Sequence, residues 1–143
     1  MPDRQLSGIL NINKPSGMTS HDVVRRVRKM TLQRRVGHAG TLDPLATGVL
    51  VLCLGQATRV VEYLMIDDKV YRARIHLGIS TDTYDAEGEI THQAKTDGVS
   101  RAQVERQLES FIGTVEQTPP MYSAIKHKET PLYRLARRGQ VVP

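Results

Sequence analysis

Apolar positions change their period several times along the chain, and each change marks an element. Ile9, Leu10 and Ile12 alternate loosely with polar neighbours over 8–13 (GILNIN), which predicts a short strand after a polar start. Lys14-Pro15-Ser16-Gly17 then forces a turn. Beyond it Val23, Val24, Val27 and Met30 recur at helical spacing and are predicted to face the core. Thr19 or Ser20 can cap that helix, and Asp22 suits the positive end of its dipole. Residues 49–54 (VLVLCL) form a continuous apolar run that fits a strand buried on both faces. Val60, Val61, Leu64 and Met65 share one side of a short helix over 57–65. Over 69–77 (KVYRARIHL) the period drops to two. Tyr71, Ala73, Ile75 and Leu77 point one way and Val70, Arg72, Arg74 and His76 the other, which predicts a half-buried strand.

Residues 78–89 (GISTDTYDAEGE) are rich in turn formers and acids and predict a solvated loop. A short strand and a polar connection are expected over 90–96. Ser100 with Gln103 makes a capping box for a helix that carries Val104, Leu108, Phe111 and Ile112 inward and stops at Gly113. Thr118-Pro119-Pro120 must be extended, and a strand is expected over 121–126 (MYSAIK). Pro131 at a first helical position opens a helix through Arg138, with Leu132, Leu135 and Ala136 inward and Gly139 closing it. Residues 140–143 read as the start of another strand. This mixed order of strands and helices excludes a simple doubly wound sheet.

Between the first helix and the apolar run lies 36–50 (VGHAGTLDPLATGVL), where Gly37, Gly40, Gly48 and Pro44 argue against any regular element. The stretch reads as a built loop presenting His38 and Asp43, anchored at its exit by the strand that follows. A polar loop on a rigid strand is where catalytic groups usually lie. The residues alone leave two readings of Asp43, a displayed carboxylate or the first residue of an Asp-Pro turn. They equally leave Tyr71 as a core tyrosine with its hydroxyl at the edge of the sheet. Metal chemistry finds little support. No two of His21, His38, His76 and His92 stand at HExxH spacing, and Asp82, Asp85 and Glu87 lack the ligand spacing of an EF-hand loop.

Length and charge narrow the partners. A chain of 143 residues is expected to form one domain and can bury roughly 68–70% of its extended surface. Its apolar fraction of 39% and charged fraction of 24% are ordinary for a globular chain. The net charge of +5 and pI of about 9.6 favour a polyanionic partner without choosing among RNA, DNA and a membrane surface. Arg25, Arg26, Arg28 and Lys29 on the outer helix face, with Arg34 and Arg35 before the loop, form either a solvated face or a ridge that tracks phosphates. The single cysteine, Cys53, lies in the apolar run, so a buried inert thiol and a cytoplasmic location are expected. No secretory signal pattern opens the chain and no apolar stretch approaches membrane-spanning length, so no membrane partner is expected.

GTLDPLATG at 40–48, preceded by Gly37-His38, resembles the signature of the bacterial tRNA pseudouridine synthases of the TruB family. The match is long and ungapped. KPSGMTS at 14–20, KVYRA at 69–73, TDTYDAEG at 81–88, PPMYSAIKH at 119–127 and LYRLARRG at 132–139 resemble further family segments in the same order, so the likeness covers about residues 8–143. It implies an α+β fold, a mixed and mainly antiparallel sheet with flanking helices, incomplete at the C-terminus. It also implies isomerisation of one uridine in the T-arm loop of tRNA to pseudouridine. By resemblance Asp43 is the nucleophile, His38 occupies the space left by the flipped nucleotide, and Tyr71 stacks on the flipped base. The reaction has no net redox change, so no cofactor and no metal are expected; a tRNA T-arm stem-loop is the expected partner, and the protein is expected to act as a monomer with no protein partner. Leu45-Ala46-Thr47 looks like the stand-alone bacterial type and not the guide-RNA-dependent one. Family members run roughly as long again, with an arginine that pairs with the catalytic aspartate and usually a C-terminal RNA-binding PUA domain. Residues 1–143 are therefore expected to be the N-terminal part of the catalytic domain, weakly active or inactive alone. A non-catalytic RNA-binding or RNA-chaperone module using the same basic surface is the alternative. One departure stands out: Glu129 replaces a common glycine, so a left-handed turn there is expected to be strained and the hairpin rearranged.

Overall fold

A computed structural model of the chain describes residues 6–123, 125–140 and 142. They divide into two units, Met1–Tyr71 and Arg72–Pro143. In the first, strand β1 (Gly8–Lys14) runs into helix α1 (Ser20–Thr31), followed by the short strand β2 (Val36–His38) and the longer β3 (Gly48–Leu54). The sheet has the order β1-β3-β2 and is antiparallel throughout. Gly8 stands opposite Leu54 and Lys14 opposite Gly48, while Val36 and His38 stand opposite Leu54 and Leu52. Because side chains alternate along a strand, Leu50, Leu52 and Leu54 share one face, and Val23, Val24 and Val27 of α1 pack on it with Val36. Ile12, Met18 and Leu42 border this cluster.

The core is narrower than the apolar pattern implied. Val49 is 68% exposed, so β3 is not sealed on both faces along its length, and Met30 is 77% exposed because the cluster ends at Val27. Val36, Gly37 and His38, expected in a loop, form β2 instead. Gly37 is tolerated there because it pairs with Cys53 across a ladder that supplies backbone bonds to any residue type. The helix expected over 57–65 is split into a 3-10 turn (Gly55–Val60) and helix α2 (Val61–Met65), with Val60 and Met65 exposed.

The second unit holds a hairpin of β4 (Ile79–Thr81) and β5 (Ile90–Gln93), helix α3 (Arg101–Glu109), a two-residue hairpin of β6 (Lys126–His127) and β7 (Thr130–Pro131), and helix α4 (Leu132–Ala136). The acidic loop thus begins with a strand, and Asp82 Oδ1 closes the hairpin end by accepting from Glu89 N at 2.8 Å. The capping box at Ser100 and Gln103 forms as expected. The inward face of α3 does not: Leu108, Phe111 and Ile112 are 50%, 70% and 79% exposed, and the helix stops before the last two. Residues 69–77 form no strand and are exposed throughout. An alternating pattern specifies a face but a strand needs a neighbour, and none pairs with this stretch among the described residues. The strand expected over 121–126 is reduced to Lys126 with His127, after a turn at 121–123; Ala124 lies outside the described residues. Pro131 caps α4 from outside it, and the helix ends at Ala136, short of Arg138. Gln140 and Val142 lie in no strand, and Val141 and Pro143 are outside the described residues.

A hairpin forms at Glu129. Lys128 (φ 44°) and Glu129 (φ 70°) both take left-handed backbone between β6 and β7, so the turn carries the strain expected of a side chain there. Taken together, the described elements are helices with small antiparallel sheets, an α+β composition.

Candidate active site

The loop proper runs from Ala39 to Thr47. Ala39 N donates to Val51 O at 2.9 Å, continuing the β2–β3 ladder one residue further. Gly40 (φ 126°) and Gly48 (φ 121°) then bracket the excursion with backbone that side chains rarely adopt. Inside these limits the chain alternates between anchored and displayed residues. Leu42 packs on the core cluster, while Asp43 is exposed, and its carboxylate has no hydrogen-bond or ion-pair partner among the described residues. Asp43 O accepts from Ala46 N at 3.1 Å, so the Asp-Pro turn and the displayed carboxylate are both present.

The residues on either side of Asp43 are tied down by two buried polar side chains. Lys14 is fully buried at the end of β1, and its ammonium donates to Met18 O at 2.7 Å, Pro15 O at 3.0 Å and Pro44 O at 3.2 Å. Gly17 N donates to the same Pro44 carbonyl at 2.8 Å. Three carbonyl dipoles replace the water a buried ammonium would otherwise lose. On the other flank Ser20, 2% exposed, donates its hydroxyl to Leu42 O at 3.1 Å and accepts from Leu42 N at 2.9 Å.

Thr19 frees Ser20 for that contact by taking the helix cap. The Thr19 hydroxyl accepts from Asp22 N at 3.0 Å, and the Asp22 carboxylate accepts from Thr19 N at 3.0 Å. The hydrogen bond from the Thr19 hydroxyl, then that from Arg25, then the Thr19 amide hold the Asp22 carboxyl well below the usual carboxylate range. Cys53 lies beneath in the sheet, where burial pushes its thiol pKa up and keeps it protonated.

His38 ends β2, half-buried, with Nδ1 buried and without a hydrogen-bond partner among the described residues. Tyr71, by contrast, is 66% exposed in the unpaired stretch after α2 and is no core residue. The path to it returns to the loop: a Cβ built on Gly40 would stand 3.8 Å from Lys69 Cε. Lys69 Nζ in turn donates to Met65 O at 2.7 Å and Asp67 O at 2.9 Å. His38 and Asp43 therefore share one anchored segment, and the Lys69 side chain, two residues before Tyr71, passes beside that segment at Gly40.

The basic ridge divides by use. Arg28 donates to Val36 O at 2.7 Å, Arg35 donates to Thr58 Oγ1 at 2.7 Å, and Arg25 pairs with Asp22. Arg26, Lys29 and Arg34 are exposed with no such partner among the described residues. In the second unit an open cavity of about 670 Å³ between 73–76 and the β4–β5 hairpin contains none of the three expected site residues. Among the described residues no group of three His, Cys, Asp or Glu side chains is placed to hold a metal ion. No helix among them is long and apolar enough to cross a membrane.

The resemblance to the family named Asp43, His38 and Tyr71, but nothing in the sequence assigned a role to Lys14, and Ser20 entered only as a possible cap. No pattern signal could have found the role of Lys14, because β1 is largely exposed and a lysine at its end would read as solvated; its burial is decided by the carbonyls of residues 15, 18 and 44.

Sequence comparison identifies the family. The family model described as TruB family pseudouridylate synthase (N terminal domain) matches residues 28–143. Proteins named tRNA pseudouridine synthase B from Dehalococcoides mccartyi, Syntrophotalea carbinolica and Clostridium perfringens are 54%, 53% and 48% identical over 134 residues, 94% of this chain. The chain covers 45%, 44% and 46% of their lengths, so it spans about half the length of the curated relatives it matches. Among solved structures, one described as an H/ACA RNP bound to a substrate RNA containing 2′-deoxyuridine is 48% identical, covers 39% of this chain and 18% of its own, and has a TM-score of 0.38. With a family model spanning most of its length and several relatives near half identity, this chain belongs to the TruB family of pseudouridylate synthases.

Proposed function

We propose that the protein carrying this chain isomerises a uridine in the T-arm loop of tRNA to pseudouridine, with Asp43 as the nucleophile. The observation that carries the reading is the exposed carboxylate of Asp43, unpartnered among the described residues and standing between two anchored neighbours in a loop of the family's signature sequence. In the reaction the C1′–N1 bond breaks, the base turns, C5 bonds to C1′, the C5 hydrogen leaves as a proton and N1 takes one up. Atoms balance without a redox partner. An ionised carboxylate on a rigid support can serve as the nucleophile of such a process.

The uridine must leave its stack to reach the loop, at a cost of a few kcal/mol. Tyr71 is assigned the stacking platform, which returns roughly 1–3 kcal/mol per base. Its exposed ring supports that assignment better than a core role. His38 is assigned the space the nucleotide vacates. Its place at the end of β2, half-buried and directly before the loop that carries Asp43, supports this. Arg26, Lys29 and Arg34 remain available for phosphates.

Residues 1–143 are read as the N-terminal part of a catalytic domain with the pseudouridine synthase fold, whose remainder contributes to turnover. The reading carries with it a cytoplasmic monomer that needs no cofactor. Tritium release from a tRNA transcript labelled at uridine C5 tests the activity on protein expressed from its complete reading frame. Release by wild type and none by Asp43→Asn is the expected result. A non-catalytic RNA chaperone would show no release by either protein and equal RNA annealing by both. Full turnover by the 143-residue chain alone would show that no further part is needed.

A further inference from the structure

We infer that Ser20 is a positioning residue for Asp43: its buried hydroxyl, bonded to both main-chain groups of Leu42, fixes the peptide that aims the nucleophilic carboxylate. The inference rests on the proposed role of Asp43 and adds the device that holds it.

The geometry is unusual for a serine at the first residue of a helix. Such a side chain is ordinarily solvated or competes for the cap, but Thr19 already caps α1 and Ser20 is 2% exposed. Its Oγ donates to Leu42 O at 3.1 Å and accepts from Leu42 N at 2.9 Å. One hydroxyl thus meets the donor and acceptor of a single residue, as a paired strand would, at a place where the loop has left the sheet. Leu42 is also held by its side chain, which packs on the core cluster beside Met18 and Ile12. Backbone rotation at residue 42 is what would swing Asp43, and both ends of residue 42 are fixed.

The remaining freedom lies downstream, where Pro44 O is already taken by Gly17 N and Lys14 Nζ. The two flanks differ in kind. Lys14 binds three carbonyls across two turns and supports the whole corner, whereas Ser20 acts only on the two peptide groups that flank the Leu42 Cα, one of which leads into the nucleophile. Ser20 therefore affects orientation more than folding. A carboxylate that samples several directions spends less time in line with the sugar or base, so the chemical step slows while RNA binding, made elsewhere, is unchanged.

The test uses protein expressed from its complete reading frame and compares wild type, Ser20→Ala, Val27→Ala and Asp43→Asn. Val27 is buried on α1 about two turns beyond Ser20, its carbonyl accepts from Thr31 and not from the loop, and it serves as a control for lost stability. Single-turnover tritium release, with protein in excess over labelled tRNA, gives the rate at saturation and the half-saturating concentration. Amide hydrogen exchange reads Leu42 directly. Ser20→Ala is expected to slow the saturated rate tenfold or more, leave half-saturation within twofold, and speed exchange at Leu42, while Val27→Ala keeps both rate and Leu42 exchange near wild type. The inference is overturned if Ser20→Ala stays within twofold of the wild-type rate, if Val27→Ala falls as far, if only half-saturation moves, or if Leu42 exchange is unaltered. Wild-type turnover by Asp43→Asn would instead sink the proposed function itself.

Discussion

Two side chains show how single residues set the local chemistry. Lys14 is an ammonium in a place without water, kept there by carbonyls of residues 15, 18 and 44. Methionine has much the same length and no donors, so Lys14→Met preserves packing and removes the hydrogen bonds. Charged hydrogen bonds contribute more than neutral ones, and the stranded carbonyls add their own cost, so a loss of about 2–3 kcal/mol is expected. Urea unfolding checks it as a lower midpoint at an unchanged slope. Asp22 predicts a pH effect. Its folded pKa lies below the unfolded one, chiefly through the Thr19 hydroxyl and Arg25. The stabilisation it gives is therefore complete above the unfolded value of about 4 and is lost as pH falls through the folded value. The melting temperature of Asp22→Asn should lie below wild type at pH 7, and the gap should close progressively as the pH is taken below about 4. A gap that stays constant in acid would contradict the capping account.

At the scale of elements, the parts of the sequence that were legible are those whose partners are local or whose patterns are long. Strand β1, helix α1 and strand β3 follow from an alternation, a helical period opened by a Thr19–Asp22 cap, and an apolar run; α1 and β3 supply most of the core of the first unit, which Ile12 of β1 borders. The stretch 69–77 has an equally clear alternation yet forms no strand, because periodicity says nothing about whether another strand lies alongside. Phe111 and Ile112 failed for a related reason: their spacing marks a face, and the described residues give that face nothing to meet. The short β2 was hidden by Gly37, whose bonding is decided by β3 and not by its own propensity. In the candidate site, the exposed position of Asp43 was readable from its glycine-bounded loop, while the hold on Leu42 was not, since Ser20 is 22 positions away.

The β6–β7 hairpin carries its own prediction. Glu129 at φ 70° sits where a residue with a Cβ pays roughly 1–2 kcal/mol, while glycine in its place loses about 0.5–1 kcal/mol of chain entropy. Glu129→Gly should therefore stabilise the second unit by about 0.5–1 kcal/mol, seen as a higher urea midpoint by a probe within 72–143. An equal or lower midpoint would show that the turn is not strained.

For the whole molecule, charge and chemistry separate. The net charge of +5 and the exposed Arg26, Lys29 and Arg34 supply attraction to any polyanion, and attraction of this kind weakens with salt as counterions are released. It does not make an isomerase. On the proposed function, what distinguishes the protein from a basic binding module is one carboxylate, displayed on a loop that the sheet, Lys14 and Ser20 hold in place. Removing its charge should leave RNA binding and its salt dependence intact while ending conversion. The most direct measurement is mapping of pseudouridine at single-nucleotide resolution in a tRNA transcript, after incubation with the wild-type protein or Asp43→Asn from the complete reading frame. The account predicts one new pseudouridine in the T-arm loop with wild type and none with the variant, at equal RNA occupancy. The same modified position appearing with Asp43→Asn would contradict it.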